Sequence, residues 1–330
     1  MAANSTNDCV LPFYFRNIAA RGAIVKIQNS FIEALNNHQY TSPVNSLLGE
    51  CLIASCLMST HLKSSARLSI QARAISSKSK PNQAMINMLV AETYMAKKNV
   101  GDRVQQTQQI RGLARMNETV EPHTGVLLDK NVDLGSLLGR SQLAVTIEPD
   151  TGERYQGIVD AQADSLSNSL EDYFQQSEQL DTRFYLFASE NQCAGMIMQE
   201  MPNHGGKSER HPIGFADEEE SKLWEELLVM AGSLKREELI NLPPEDCLHR
   251  LFHQHDYGTA ELVPVQFACR CSIEGTKNAI KIVDYQELDD ILKKDGEVAL
   301  DCEFCSTRYR FDRKAIAGIK GLPDPQDTIN

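Results

Sequence analysis

Residues 265–271 read VQFACRC and residues 302–312 read CEFCSTRYRFD, so two short stretches carry a C-x-C pair and a C-x-x-C pair of cysteines. Four thiolates are the donor set of a closed tetrahedral zinc site. Alternate residues of a strand share one face, so a strand through 265–271 would place both sulfurs of the first pair on the same side. The two stretches therefore predict a zinc-binding module with one Zn²⁺ per chain, held by Cys269, Cys271, Cys302 and Cys305.

The segment around these cysteines is too small to be stable on its own apolar core. It spans about 60 residues, from Gly258 to Gly318, with a strand predicted where Tyr309 and Phe311 alternate with arginines. Structural zinc contributes about 10–16 kcal/mol to the folding of zinc-finger peptides. Loss of the metal is therefore expected to unfold this segment, and disulfides across such short loops would not replace the lost stability.

The closeness of the two C-x-C sulfurs indicates redox chemistry as well as metal binding. The sulfurs of Cys269 and Cys271 can close on each other in a strained disulfide, and strained disulfides are the labile, regulatory ones. Zinc holds cysteines as thiolates, which is the form that oxidants attack. The pattern therefore predicts a redox switch.

Composition and charge exclude several classes of partner and location. The 330-residue chain has 45 acidic and 33 basic residues, a net charge of −12, which argues against binding to nucleic acid or to anionic membranes. The most apolar stretch, 47–62, contains Glu50 and is shorter than the roughly 20 residues of a membrane span. Residues 1–10 lack the features of a secretory signal, and nine cysteines without one fit a reducing cytosol. A cytoplasmic protein is predicted.

The pattern of the first 200 residues predicts an α+β fold, with an N-terminal domain of helices and a largely antiparallel sheet. The expected elements are a strand at 22–27, helices at 50–61 and 166–174, and hairpins at 143–159 and 183–199. The polar stretches 76–83 and 97–109 are predicted to be surface loops.

A charged helical region follows, and it has one apolar stripe. The stripe steps by four, three and four residues through Leu223, Leu227, Met230 and Leu234. Because this region lies between the first domain and the zinc module, it would lose a neighbour when the module unfolds. An apolar surface exposed in this way is a site for other proteins, so these four residues are the candidate client-binding residues.

These observations predict four regions of the chain. Residues 1–200 form the α+β core domain, 201–257 a metastable helical linker, 258–320 the small C-terminal zinc-binding redox-switch domain, and 321–330 a tail.

Several segments together resemble one known family, the redox-regulated 33 kDa chaperonins. They are Arg21-Gly22 at the start of a strand, GERYQGIV at 152–159, LEDYFQQSEQL at 170–180, LHRLFH at 248–253, and the two cysteine stretches. The resemblance covers nearly the whole chain. The chain departs from the family pattern between Gln71 and Arg111, where it is longer and poorer in glycine.

The resemblance implies a cytoplasmic holdase chaperone of the stress response rather than an enzyme. Such a protein is inactive when reduced and zinc-loaded; on oxidation it forms disulfides, releases zinc, unfolds its linker and binds unfolding proteins. By motif position the zinc ligands correspond to Cys269, Cys271, Cys302 and Cys305. The implied disulfides pair Cys269 with Cys271 and Cys302 with Cys305, and the active form is implied to be a homodimer.

Two enzymatic alternatives remain open from the residues. A thiol-disulfide oxidoreductase could use Cys302 and Cys305, although such enzymes usually place C-x-x-C at a helix N-terminus and here strand-like residues follow. A zinc hydrolase needs an open coordination position, which four cysteines do not leave. His249 and His253 stand at helical spacing and are the other possible metal ligands, together with Cys247 or Asp256.

Overall fold

The structure is a computed structural model that describes residues 7–62, 65–75, 84–100, 103–117, 134–161, 165–201 and 218–322. The chain folds into two compact units, Met1–Phe267 and Ala268–Asn330. In the first unit, the described residues form one eleven-stranded sheet. Its strands are β1 (Asp8–Phe15), β2 (Ala20–Ile27), β3 (Ala66–Ala74), β4 (Ile86–Val100), β5 (Arg103–Met116), β6 (Ser141–Pro149), β7 (Tyr155–Ala161), β8 (Thr182–Ala188), β9 (Cys193–Glu200), β10 (Tyr257–Thr259) and β11 (Val263–Phe267).

The predicted α+β class with a largely antiparallel sheet is confirmed. The strands run in the order β7-β6-β3-β4-β5-β11-β1-β2-β9-β8, with β10 paired to β1. Among the described pairs, β11 with β5 is parallel and the others are antiparallel. Both predicted hairpins are present, as β6–β7 and β8–β9.

One face of the sheet packs on a buried central helix. The helices before the linker are α1 (Asn29–Leu35), α2 (Ser42–Ser59), α3 (Leu134–Leu138) and α4 (Leu166–Tyr173), which continues as a π-helical turn over Phe174–Glu178. Helix α2 is apolar all round because strands and helices surround it, and most of its side chains are buried in the larger core. Helix α2 begins at Ser42, earlier than the predicted start at residue 50. Pro43 is its second residue, and the first turn of a helix is where proline is tolerated.

The opposite face of the sheet is covered by the helices of the linker, α5 (Glu218–Gly232), α6 (Arg236–Asn241) and α7 (Pro244–Phe252). These helices and strands β1, β2 and β9 share a second apolar core, in which Leu11, Phe13 and Ile24 of the sheet meet Leu227 and Phe252. The linker is therefore the cover of an apolar sheet face.

The prediction of a surface loop at 97–109 is wrong for the described residues, because 97–100 end β4, 103–109 begin β5, and these two segments pair with each other. Lys97, Gln105 and Gln106 are exposed, so a polar composition fits this part of a hairpin as well as it fits a loop. Nearer α2, buried polar side chains of the same hairpin are hydrogen-bonded. The Gln108 Nε2 group donates to the Cys56 carbonyl at 3.1 Å, and the hydroxyls of Thr93 and Ser55 lie 2.6 Å apart. The other predicted loop, 76–83, lies outside the described residues.

The boundary between the two units falls after Phe267, later than the predicted start of the zinc module at 258. Strand β10 pairs with β1, and β11 pairs with both β1 and β5, so residues 257–267 belong to the large sheet. These pairings join residues far apart in the chain, which local pattern does not reveal. Residues 202–217 and 323–330 lie outside the described residues.

The second unit is a small helical and hairpin module. It contains α8 (Ile273–Ile282), α9 (Tyr285–Asp295), α10 (Arg313–Lys320) and the antiparallel strands β12 (Val298–Asp301) and β13 (Arg308–Phe311). Its apolar core is formed by Ile280, Leu288, Leu292, Val298, Phe311 and Ile316. In the described part of the chain, no helix has the length and apolarity needed to cross a membrane.

Gly22 explains the Arg-Gly segment and gives a stability prediction. A Cβ atom at this position would lie 2.3 Å from Cζ of Phe13 and 2.4 Å from the carbonyl oxygen of Ile197. Because both neighbours are fixed in adjacent strands, Gly22→Ala is expected to lower the free energy of unfolding by about 1–3 kcal/mol or more.

Denaturant unfolding of Gly22→Ala measures this loss, and Gly232→Ala is the matched control. At the end of α5 a Cβ on Gly232 meets no atom within 4 Å. The control should be neutral or stabilise by up to about 1 kcal/mol, since alanine is the better helix former. Equal stability of the two variants would show that the sheet tolerates the extra methyl group.

Candidate metal centre

The structure brings the sulfurs of all four predicted cysteines together. The four Sγ atoms lie within 4.8 Å of one another. The Cys269 and Cys302 sulfurs are 3.6 Å apart, and those of Cys271 and Cys305 are 3.5 Å apart. A tetrahedral site with Zn–S bonds of about 2.3 Å separates its sulfurs by about 3.8 Å. The cluster has the donor chemistry and the size of a closed zinc site.

The C-x-C pair reaches this cluster from a connecting segment and not from a strand. Strand β11 ends at Phe267, and Ser272 caps helix α8 by accepting a hydrogen bond from the Gly275 amide at 3.1 Å. The predicted strand through Cys269 and Cys271 is therefore wrong. The two sulfurs converge from the short connection between β11 and α8.

The C-x-x-C pair lies in the tight connection of the β12–β13 hairpin. The Cys302 amide donates to the Thr307 carbonyl at 2.9 Å, and the Ser306 amide donates to the Cys302 carbonyl at 2.8 Å. Ser306 has a positive φ of 54°, which lets the chain reverse immediately after Cys305. The strand predicted after this pair is confirmed as β13.

The thiols of Cys269 and Cys305 have unequal affinities for protons. Burial raises the pKa of Cys269 to about 12, and burial also raises the pKa of Cys302. Burial acts in the same direction on Cys305, but hydrogen bonds from the Thr307 hydroxyl and amide and from the thiols of Cys269 and Cys271 together outweigh it and lower the pKa of Cys305 to about 7. Four thiolates this close repel one another, so a divalent cation is the natural way to hold all four deprotonated.

Two hydroxyl groups contact the sulfurs, and the sequence analysis missed both. The Tyr309 hydroxyl donates a hydrogen bond to the Cys271 sulfur at 3.1 Å. The Thr307 hydroxyl lies 3.1 Å from the Cys305 sulfur. Both residues belong to the CEFCSTRYRFD stretch, but only the fold of the hairpin brings Tyr309 to the other cysteine pair.

The histidine pair is not part of the ligand group. Among the described residues, the four cysteines are the one group of three or more potential ligand side chains that lie close enough for a metal. The rings of His249 and His253 are 5.5 Å apart on α7, where Nδ1 of His253 contacts the His249 carbonyl.

The other five cysteines are buried separately, and burial raises the pKa of each thiol. They are Cys9, Cys51, Cys56, Cys193 and Cys247. They are packed as small apolar side chains and are not in the thiolate form.

The four candidate client-binding residues are covered to different degrees. Leu227 is fully buried and Leu234 is nearly so in the second core, while Leu223 and Met230 lie half-buried at its border. The sequence analysis missed Trp224, the one tryptophan of the chain, which is 4% exposed. Its indole N–H donates to Oδ2 of Asp181 at 2.8 Å. Its position three residues before Leu227 places it on the same helix face.

Comparison with known proteins gives the family. The family model described as Hsp33 protein matches residues 8–312. The 33 kDa chaperonin of Shewanella oneidensis is 35% identical over 314 residues, covering 95% of this chain and 96% of the relative. The 33 kDa chaperonin of Cronobacter sakazakii is 33% identical over 325 residues, covering 97% and 98%.

A solved structure shows the same fold. The crystal structure of the 33 kDa chaperonin from Thermotoga maritima matches with a TM-score of 0.72 at 20% identity, covering 96% of this chain and 98% of that one. The match of the family model over most of the chain, together with relatives above 30% identity over nearly their whole length, shows that this chain belongs to the Hsp33 protein family.

Proposed function

We propose that this protein is a redox-controlled holdase chaperone. In the reduced state Cys269, Cys271, Cys302 and Cys305 hold one zinc ion, and the linker helices cover the apolar sheet face. Oxidation pairs Cys269 with Cys271 and Cys302 with Cys305, zinc leaves, the linker unfolds, and the exposed surface binds unfolding proteins. The protein acts without turnover of a substrate, as a homodimer in its oxidised form, and binds neither nucleic acid nor membranes.

The observation that carries this proposal is the apolar core between the linker and the sheet. If α5–α7 leave the sheet, Leu11, Phe13 and Ile24 of the sheet become exposed. Leu227 and Phe252 of the helices become exposed as well. A contiguous apolar surface of this kind is where proteins bind other proteins. Because the linker and the sheet would both be uncovered, both are candidate surfaces for an unfolding client.

The contacts that dock the linker include polar ones that are costly to bury, which supports a metastable linker. Lys26 is 8% exposed as a residue, and its ammonium group donates to the Leu242 carbonyl at the end of α6 at 2.6 Å. Burial lowers the pKa of Lys26, a sign that the charged form is poorly solvated there. Burial of apolar side chains therefore favours the docked linker, while desolvation of the Lys26 ammonium group disfavours it.

Zinc would supply the stability that the second unit lacks. The apolar core of this unit is small, and the two cysteine pairs come from the segment before α8 and from the β12–β13 connection. The metal would cross-link these two segments, and cysteines lost to disulfides can no longer hold it. Strand β11 ends only two residues before Cys269, so the module follows the sheet and the linker directly in the chain. A chain with nine cysteines, four of them in one ligand group, fits action in a reducing cytoplasm.

The oxidoreductase alternative is not favoured. Cys302 and Cys305 lie between two strands rather than at a helix N-terminus, where the helix dipole would activate a thiol.

The test is suppression of aggregation of a chemically unfolded client protein, with reduced zinc-loaded protein compared with peroxide-oxidised protein. Activity in the oxidised state alone is the expected result, because only that state exposes the covered surface. Zinc release and free-thiol content are measured on the same samples. Equal activity in both states would assign zinc a purely structural role, and activity in neither, with turnover of a disulfide substrate, would favour the enzyme.

A further inference from the structure

Each half of the four-cysteine centre has its own hydroxyl group. The Tyr309 hydroxyl donates to the sulfur of Cys271 in the C-x-C half, and the Thr307 hydroxyl lies at the same 3.1 Å from the sulfur of Cys305 in the C-x-x-C half. A metal-bound thiolate carries no proton, so in the loaded protein each hydroxyl must be the donor. Each of these two sulfurs therefore shares its negative charge with one hydroxyl.

The centre also opens onto a cavity of about 280 Å³, which is large enough for water and for a small oxidant. Sulfur-bearing residues of both halves line this cavity, Cys271 from one and Cys302 from the other. Tyr309 forms part of the same wall, together with Leu300 of β12 and Thr276 of α8. An oxidant that enters here meets Cys271 beside the Tyr309 hydroxyl.

We propose that Tyr309 and Thr307 are positioning residues that separately set the oxidation rates of the two cysteine pairs, Tyr309 for Cys269–Cys271 and Thr307 for Cys302–Cys305. This inference rests on the proposed function, because the rates matter when oxidation is the signal. It assigns control of the oxidation rates to two side chains that are not themselves metal ligands.

The chemistry is a two-electron oxidation by hydrogen peroxide. A thiolate sulfur attacks one peroxide oxygen, the O–O bond breaks, and the products are a sulfenic acid and hydroxide. The second thiolate of the pair then attacks the sulfenic sulfur, the S–S bond forms and hydroxide leaves. The sulfur lone pair is the nucleophile in the first step, so a hydrogen bond to that lone pair slows it.

The expected size follows from thiolate reactivity. One hydrogen bond to an anionic group lowers its basicity by roughly tenfold. The rate of attack by a thiolate follows basicity with an exponent of about 0.4–0.5. Removal of one hydroxyl should therefore accelerate oxidation of the sulfur it contacts about threefold.

The experiment uses the full chain, reduced and zinc-loaded, in the variants Tyr309→Phe and Thr307→Val. Samples treated with hydrogen peroxide are quenched by alkylation, and peptide mass spectrometry gives the rate of thiol loss for each pair. Initial rates are compared, because oxidation of either pair releases the zinc that both pairs share. Tyr309→Phe should accelerate the initial loss of the Cys269–Cys271 thiols about threefold and leave the initial rate of the other pair unchanged. Thr307→Val should do the reverse. Tyr285→Phe is the matched control, since this tyrosine is 40% exposed at the start of α9.

Three results would overturn the inference. Unchanged rates in both variants would show that the hydroxyls do not limit oxidation. Acceleration of both pairs by Tyr309→Phe would indicate a general loosening of the module. Zinc affinity of the reduced variants, measured by chelator competition, should stay near that of the wild type. A loss of tenfold or more would assign the hydroxyls to assembly of the centre instead. None of these measurements depends on chaperone activity. The proposed function is tested separately by the aggregation experiment, so either idea can fail without the other.

Discussion

Replacing both Cys269 and Cys271 with serine is expected to abolish tight zinc binding and to unfold the second unit, while the first unit stays folded. Two of the four sulfurs that lie within 4.8 Å of one another are lost, and serine hydroxyls remain protonated at neutral pH. Structural zinc contributes about 10–16 kcal/mol in small modules. The six-residue apolar core of this unit cannot replace a contribution of that size.

Metal analysis of the purified variant measures the zinc content, and amide hydrogen exchange locates the unfolding. Protection should be lost over residues 268–322 and retained in the strands of the large sheet. Cys9→Ala is the control, because that buried cysteine of β1 lies outside the four-sulfur cluster. Full zinc occupancy in the double serine variant would contradict the proposed ligand set.

Leu227→Lys is expected to release the linker without oxidation and without loss of zinc. Leu227 is fully buried between α5 and the sheet, so the substitution removes an apolar side chain and places an ammonium group in its position. Loss of the apolar packing alone should destabilise the docked linker by about 2–5 kcal/mol. Burial of the charged ammonium group should destabilise it further. We therefore expect Leu227→Lys to suppress aggregation of a client protein even in the reduced, zinc-loaded state.

Trp224 reports this release directly, since it is the chain's one tryptophan and is buried in the same core. Its fluorescence should shift to the red in Leu227→Lys, and protease cleavage should increase within residues 218–256. Val229→Lys is the matched control on the same helix, because Val229 is 76% exposed. Unchanged emission and unchanged protease sensitivity in Leu227→Lys would argue against a metastable linker.

The tight contacts at two glycines explain the motifs behind the family resemblance. Gly22 of the Arg-Gly segment lies under the Phe13 ring, and a Cβ on Gly157 of GERYQGIV would come within 2.6 Å of Tyr173. Tyr173 belongs to the LEDYFQQSEQL segment. The motif residues were recognisable in the sequence, but the side chain that requires each glycine was not, because Gly22 and Phe13 lie on different strands and Gly157 and Tyr173 on a strand and a helix.

Several features could be predicted before the fold was known, because they depend on residues close together in the chain or on residue type. The spacing of Cys269, Cys271, Cys302 and Cys305 defines a four-sulfur donor set, and short turns define the hairpins β6–β7 and β8–β9. The step of the apolar residues in α5 likewise predicts its buried face. For the hairpins and the helix the physical cause acts within a few residues, through chain reversal or helix periodicity. For the cysteines it is the donor chemistry of two closely spaced pairs, which is recognisable without knowledge of the fold.

Features that depend on partners far away in the chain could be seen only in the folded structure. The described residues of the polar stretch 97–109 form strands because β4 and β5 pair with each other there, and residues 257–267 join the large sheet through β1 and β5. The apolar face of α5 is buried only because β1, β2 and β9 form a sheet against which it packs. Tyr309 contacts Cys271 only because the β12–β13 hairpin brings the two residues together. Side chains far apart in the chain come within contact distance only once the backbone has folded, so local pattern cannot encode these contacts.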